Sequence, residues 1–157
     1  ERAWAAAETS TMPKFYFDIA LYRQFLELGQ PPFTPALPTI FGMDRALQQL
    51  VEEGLESIFG RHAARAKQTR DGVKALGLEL FADEPVASDT VTAVKVPESV
   101  DGLELVSTMR DEHNVEISGG QGPLRGKIIR IGHMGYCEPE HIDDCLRALE
   151  KTLAALR

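Results

Sequence analysis

The order of the predicted elements favours an α+β fold in which helices cover one face of a mainly antiparallel sheet of about three or four strands. Apolar residues at helical spacing alternate with short β-branched runs along the sequence. After residue 39 the predicted order is helix, strand, strand, helix, strand, strand, helix. Neighbouring runs are joined by short turns, which favours antiparallel pairing because parallel strands need a longer crossover.

The beginning of the sequence is predicted to form helical segments followed by a proline-rich connector. An alanine-rich stub covers residues 1–8, and an aromatic-rich helix is expected at about 18–28. Residues 30–39 contain four prolines, which exclude regular structure and force an extended path. This change in composition predicts a boundary, with residues 1–38 lying outside a domain formed by residues 39–157.

A long amphipathic helix is predicted after the connector. Its apolar pattern ends at Gly77, where glycine can adopt a left-handed cap, and the helix is expected to bend near Gly54 or Gly60. His62 within it is expected to be a solvated or packing residue without a chemical role. The apolar stripe consists of Met43, Leu47, Leu50, Val51, Leu55, Ile58, Ala63, Ala66, Val73 and Leu76.

The remaining segments complete the predicted α+β pattern. Short strands are expected at residues 78–81 and 90–96, the second of which is rich in β-branched residues. Asp101 is the predicted N-cap of a helix that ends near Asn114. Pro139 is placed in the first turn of a C-terminal helix whose acidic residues cluster at its N-terminal end, as the helix dipole favours.

Residues 115–135 are predicted to form a hairpin whose returning strand carries a single cation between isoleucines. Burying a guanidinium beside Ile129 and Ile131 costs free energy unless it meets an anion, and its planar fork fits a carboxylate through two parallel hydrogen bonds. Arg130 is therefore a candidate anion receptor. Because side chains alternate along a strand, Arg130 could instead face water while the isoleucines face the core, and spacing alone favours this second interpretation.

The surroundings of the hairpin favour the anion receptor. Gly132 and Gly135 allow a ligand or another backbone to approach closely, and His133 is expected to share a face with Arg130. The glycine-rich loop at residues 119–122 lacks the Gly-Lys-Ser/Thr ending of a phosphate-binding loop and opens no obvious helix. It is therefore predicted to supply turn geometry.

Composition and charge limit the possible partners. A net charge of −7 and the lack of a basic stripe argue against nucleic-acid binding. No apolar run approaches the ~20 residues that span a bilayer, and no signal peptide opens the chain. Cys137 and Cys145 lack the paired spacing of a zinc site, so we expect no metal site and free thiols in a reducing cytoplasm.

Seven short segments of the sequence carry a family resemblance. They are Phe-Tyr-Phe-Asp (15–18), Phe-Thr-Pro-Ala-Leu-Pro (33–38), Glu-Glu-Gly-Leu-Glu (52–56), Arg-His (61–62), Ala-Leu-Gly-Leu (75–78), Ser-Gly-Gly-Gln-Gly (118–122) and Gly-Lys-Ile-Ile-Arg-Ile-Gly-His-Met-Gly (126–135). In this order and spacing they resemble class V pyridoxal-phosphate aminotransferases of the serine–pyruvate, alanine–glyoxylate and serine–glyoxylate group, which includes soluble hydrogenase small-subunit-like proteins. The resemblance implies the C-terminal small domain of a fold-type I enzyme, preceded by the last helical segments of the large domain.

The resemblance implies roles for two residues. Arg130 matches the family's arginine that binds the α-carboxylate of the amino-acid substrate. Thr34 matches the threonine that reaches the cofactor phosphate of the neighbouring subunit in a homodimer. The family often has a tyrosine a few residues earlier, where this sequence has Pro31, Pro32 and Phe33, so that phosphate contact is not expected here.

The resemblance also implies which parts of the site lie elsewhere. In the family, the lysine that binds pyridoxal 5′-phosphate covalently lies upstream of the matched region, and Lys14 is not at its position. We expect the full-length protein to transfer an amino group from alanine or serine to glyoxylate or a similar 2-oxo acid. This chain, as a C-terminal piece without a catalytic residue, is expected to be inactive alone. The alternative is a non-catalytic interaction or regulatory subunit that uses the same small α/β domain.

Overall fold

The structure, a computed structural model, describes all 157 residues and has the predicted α+β composition. Its helices are α1 (Arg2–Thr9), α2 (Ile19–Glu27), α3 (Leu37–Glu53), α4 (Leu55–Ala75), α5 (Gly102–His113) and α6 (Pro139–Leu156). Its strands are β1 (Val91–Lys95), β2 (Ser118–Gly119) and β3 (Ile128–Gly132). None of the helices combines the length and the apolar character needed to cross a membrane.

The chain divides into two compact units, Glu1–Glu52 and Glu53–Arg157. This division concerns packing within the chain itself. The sequence-based boundary between residues 38 and 39 concerns the domains of a longer protein, and it stays a prediction.

In the first unit, α1 packs against α2, and the carboxylate of Asp18 accepts a hydrogen bond from the backbone N–H of Ala20 at 3.0 Å. The start of α3 differs from the prediction, because the proline-rich connector was expected to stay extended to residue 39. The helix begins at Leu37 and includes Pro38 in its first turn. A proline is tolerated there because the first N–H groups of a helix have no partner within the helix.

The predicted long helix is interrupted at Gly54, which is one of the two positions where a bend is expected. Helix α3 ends at Glu53 and α4 starts at Leu55, and Gly54 between them has φ = +82°. Residues with a side chain rarely adopt this conformation, so glycine permits the break. The helix continues without interruption through Gly60.

The second unit contains an antiparallel sheet with the strand order β1–β3–β2. Val91 pairs with Gly132 at one end of β1 and Lys95 with Ile128 at the other. The predicted strand at residues 78–81 is reduced to a single bridge between Leu80 and Val94. Pairing stops there because the chain turns into a short 3₁₀ helix at Glu84–Val86, so a fourth full strand does not form.

Helices α4, α5 and α6 cover one face of this sheet. The burial of β1 alternates, as does that of β3 from Ile129 onward, as expected for strands with one face in a core. Core residues are Val73, Val94, Leu105, Met109, Ile129, Ile131 and Leu149. Since Arg130 lies between Ile129 and Ile131, its side chain leaves the sheet on the other face.

The ends of α5 confirm the capping prediction. Asp101 Oδ1 accepts hydrogen bonds from the N–H groups of Leu103 at 2.7 Å and Glu104 at 3.2 Å. Asn114 ends the helix in the left-handed conformation, with φ = 54°. These caps satisfy backbone groups that have no partner inside the helix, and they place the chain at the start of the hairpin.

Candidate carboxylate-binding site

The predicted hairpin is present, and it places Arg130 in the central strand of the sheet. Arg130 pairs with Ser118 of β2 on one side and with Ala93 of β1 on the other. Both neighbours are small, and cross-strand neighbours lie on the same face of a sheet. The guanidinium therefore projects over a part of the sheet that is lined by short side chains.

The guanidinium of Arg130 is fixed by a backbone carbonyl. Nε and Nη2 both donate hydrogen bonds to the oxygen of Gly119, at 3.1 Å and 2.8 Å. The side chain is half-buried, so this contact replaces part of the water that the cation has lost. An arginine has five N–H donors, and those on the Nη1 side of Arg130 remain available.

Arg130 differs from the other half-buried arginines in its charge pairing. Arg61 lies 2.6 Å from Glu53, Arg65 lies 3.7 Å from Glu138, and Arg70 lies 3.3 Å from Asp89. No carboxylate of the chain lies within 4.0 Å of Arg130. A half-buried cation without an anion is poorly compensated, so this position favours an external anion.

Thr34, the second candidate, lies in the first unit, whereas Arg130 lies in the second. Its side chain is exposed, and its hydroxyl makes no hydrogen bond within the chain. The preceding residue, Phe33, packs its ring against Phe15 and Tyr16, with ring centroids 5.3 Å and 5.0 Å apart. This aromatic contact holds the backbone next to Thr34. The hydroxyl of Thr34 itself is free to donate a hydrogen bond.

Comparison with known proteins finds relatives whose sequences align with nearly all residues of this chain. No protein-family model matches it. A serine–glyoxylate aminotransferase of Arabidopsis thaliana is 38% identical over 154 residues, which cover 97% of this chain and 38% of the relative. A soluble hydrogenase small subunit of a Synechococcus species is 40% identical over 155 residues, which cover 99% of this chain and 40% of the relative.

A solved structure shows that the similarity extends to the fold. The ureidoglycine–glyoxylate aminotransferase of Bacillus subtilis superposes with a TM-score of 0.86 and 32% identity, covering 98% of this chain and 40% of that enzyme. In sequence and in fold, the chain is therefore similar to a part of these aminotransferases. It spans about 40% of the length of the relatives it matches.

The expected position of His133 is wrong. His133 does not share a face with Arg130, because it lies an odd number of residues further along and alternation turns it to the opposite side. Its ring is buried, with 1% of its surface exposed, and Nε2 lies 2.9 Å from the hydroxyl of Thr92. Thr92 pairs with Ile131, so this buried pair belongs to the helix-covered face.

Burial lowers the pKa of His133 below its ordinary value of 6.5, because the charged ring would lose water. The backbone and carboxylate of Asp89 partly offset the shift, whereas the positive charge of Arg70 adds to it. Nδ1 is also buried without a well-aligned hydrogen-bond partner. His133 is therefore a neutral structural histidine at neutral pH.

This burial predicts a loss of stability in acid. Below pH 6.5 the unfolded chain binds a proton that the folded chain resists, so the free energy of unfolding should fall as the pH falls from 6.5 toward the lowered pKa. Urea unfolding between pH 5 and pH 8 measures this slope. His133→Gln should flatten it, whatever the variant does to overall stability. An unchanged slope in the variant would assign the effect to other groups.

Helix α4 holds the loop that follows Arg130's strand. Arg61 Nη1 donates to the carbonyl of Gly135 at 2.5 Å, and Arg65 Nε donates to that of Cys137 at 3.0 Å. His62 Nε2 accepts from the N–H of Gly135 at 3.3 Å, so His62 is a packing residue as expected. The roles of Arg61 and Arg65 were not predicted, although their i, i+4 spacing on one helix face marks them as a pair.

Proposed function

We propose that this chain is the carboxylate-binding part of a pyridoxal-phosphate-dependent aminotransferase. The full-length enzyme would transfer an amino group from alanine or serine to glyoxylate or a similar 2-oxo acid. The observation that carries the proposal is Arg130, a half-buried guanidinium without an internal carboxylate, which projects from the strand face opposite the core. The aminotransferase relatives and the solved enzyme support the same reaction class.

In this proposal Arg130 binds and orients the substrate. Its free N–H groups would donate two charge-assisted hydrogen bonds to the α-carboxylate. Holding the carboxylate fixes the orientation of the Cα–H bond, so the arginine lowers the barrier by positioning rather than by acid–base chemistry. A 2-oxo acid has the same carboxylate, so the same contact would serve both halves of the reaction.

Pyridoxal 5′-phosphate supplies the electron-withdrawing ring that makes amino-group transfer possible when it is bound to the full-length enzyme. On this chain, Thr34 fits a phosphate oxygen, because its hydroxyl is exposed and unpaired. We further propose that Thr34 reaches the cofactor of a neighbouring subunit, which would make the enzyme a homodimer. Such an enzyme would act in the cytoplasm without nucleic-acid or membrane partners.

The size and activity of the natural protein test the proposal. Intact mass and gel filtration should find a polypeptide of well over twice the 17.3 kDa of this chain, in a dimer. That protein should convert alanine or serine with glyoxylate when pyridoxal phosphate is present. A native polypeptide of this length without cofactor would contradict the proposal.

A second candidate function is a non-catalytic interaction or regulatory subunit. It is favoured by the Synechococcus relative, which is named as a small subunit of soluble hydrogenase and is 40% identical to this chain. In that case the natural protein should co-purify with a larger enzyme and show no amino transfer. The same mass and activity measurements therefore separate the two candidates.

The chain alone is predicted to form no specific covalent adduct with the cofactor. A lysine that bonds to a carbonyl cofactor needs a desolvated site that lowers its pKa. Every lysine of this chain is exposed: Lys14, Lys67, Lys74, Lys95, Lys127 and Lys151. Mixing the chain with pyridoxal phosphate, reducing with borohydride and measuring peptide masses should give scattered modification only. A stoichiometric adduct at one lysine would show the prediction to be wrong.

A further inference from the structure

We propose that the carbonyl of Gly119 is a positioning group for Arg130, and that it presents the Nη1–Nη2 edge of the guanidinium to the substrate carboxylate. This inference rests on the proposed function of Arg130 and adds how the receptor is oriented. It also predicts that Gly120 is required for substrate binding, although Gly120 touches no substrate.

The geometry of Arg130 leaves one edge for a carboxylate. A guanidinium offers two edges with paired donors, Nε with Nη2 and Nη1 with Nη2. The first edge of Arg130 is closed, because both of its nitrogens donate to the single oxygen of Gly119, at 3.1 Å and 2.8 Å. A two-point contact with a carboxylate therefore uses the second edge and approaches the arginine end-on.

The same carbonyl restricts rotation of the side chain. Two donors that share one acceptor hold the guanidinium plane against the backbone of β2, so Arg130 is oriented before the substrate arrives. The strand register explains the contact, since Ser118 pairs with Arg130 and Gly119 follows it on the neighbouring strand. Less conformational freedom is then lost on binding, which strengthens the interaction with the carboxylate.

The position of the Gly119 carbonyl depends on the tight loop that follows β2. The N–H of Gly120 donates to the carbonyl of Ile128 at 2.9 Å, which closes the hairpin. A Cβ at Gly120 would lie 2.1 Å from the carbonyl oxygen of Leu124 and 2.7 Å from its carbon. These are backbone atoms of the same loop, so an alanine here forces the loop and the adjoining Gly119 carbonyl to move.

The test compares Gly120→Ala with Gly60→Ala in the full-length enzyme. Gly60 lies in α4, and a Cβ there meets no atom within 4 Å, so it controls for the added methyl group. We expect Gly120→Ala to raise KM for alanine and serine by about tenfold or more and to change kcat less. Gly60→Ala should stay within twofold, and both variants should keep the cofactor absorbance of the wild type.

Two outcomes of the kinetic test separate this inference from the proposed function. If Arg130→Ala raises KM strongly and Gly120→Ala leaves it within twofold, the positioning role of the loop is refuted and the receptor role of Arg130 stands. If Arg130→Ala itself has no effect on KM, the proposed function fails and this inference fails with it.

A measurement on the wild-type enzyme decides the matter even if Gly120→Ala does not fold. In protein labelled with ¹⁵N-arginine, the Nε–H signal of Arg130 can be assigned from its loss in Arg130→Lys. We expect it to exchange slowly with water, and to stay protected when acetate is added as a minimal carboxylate, while the Nη signals shift. Loss of protection on adding acetate would mean that the carboxylate displaces Gly119 and binds side-on, which would overturn the inference.

Discussion

Replacing Arg130 by lysine in the full-length enzyme is expected to weaken binding of alanine and serine by about ten- to a hundredfold. Lysine keeps the charge but loses the planar fork, so one of two charge-assisted hydrogen bonds is lost, each contributing roughly 1.5–3 kcal/mol. Lysine also cannot donate to the Gly119 oxygen through one edge while offering a second edge to the substrate. Substrate titration under steady-state conditions measures the effect as an increase in KM.

Arg130→Ala should weaken binding further, because it removes both hydrogen bonds and the charge. Cofactor retention should barely change, since the phosphate and the ring are bound by other residues. Amines without a carboxylate provide the control, and their slow turnover should not respond to either substitution. A KM for alanine and serine within twofold of wild type would instead identify Arg130 as an ordinary solvated strand residue.

Most of the fold could be predicted, because its elements follow strong local signals. The amphipathic pattern defines α6 and much of α4, and Asp101 predicts the start of α5 as a cap. The strand at residues 78–81 was overestimated because strand length depends on how many partner residues remain in register, which a short apolar run does not encode. The early start of α3 was missed because Pro38 suggested an extended path, although a first-turn position removes its penalty.

The candidate site was only partly predictable. Arg130 was identified because a cation between two isoleucines is unusual in sequence. Its contact with Gly119 leaves no sequence signal, because the acceptor is a backbone carbonyl that every residue has. The hydrogen bond from Arg61 to Gly135 joins residues 74 positions apart, so only the folded chain reveals it. The pKa of the Cys145 thiol could not be predicted from sequence either. Burial of this thiol where α6 packs raises its pKa to about 11.

Replacing Gly102 by alanine is expected to destabilise the second unit by about 3 kcal/mol, which is at the upper end of the usual cost of overpacking. Gly102 is the first residue of α5, and a Cβ there would lie 2.2 Å from the carbonyl oxygen of Gly126 and 2.8 Å from its carbon. The loop cannot shift freely, because Gly126 has φ = +74° and leads directly into the strand that carries Arg130. Urea unfolding followed by circular dichroism measures the loss.

Gly60→Ala is the matched control for this prediction. Gly60 lies inside α4, where the added methyl group meets no atom within 4 Å, and alanine is favoured over glycine in a helix by about 1 kcal/mol. The same chemical change should therefore stabilise the unit at residue 60 and destabilise it at residue 102. Equal stability of Gly102→Ala and the wild type would mean that α5 moves away from the loop at little cost. In that case the start of α5 would not fix the loop that precedes β3.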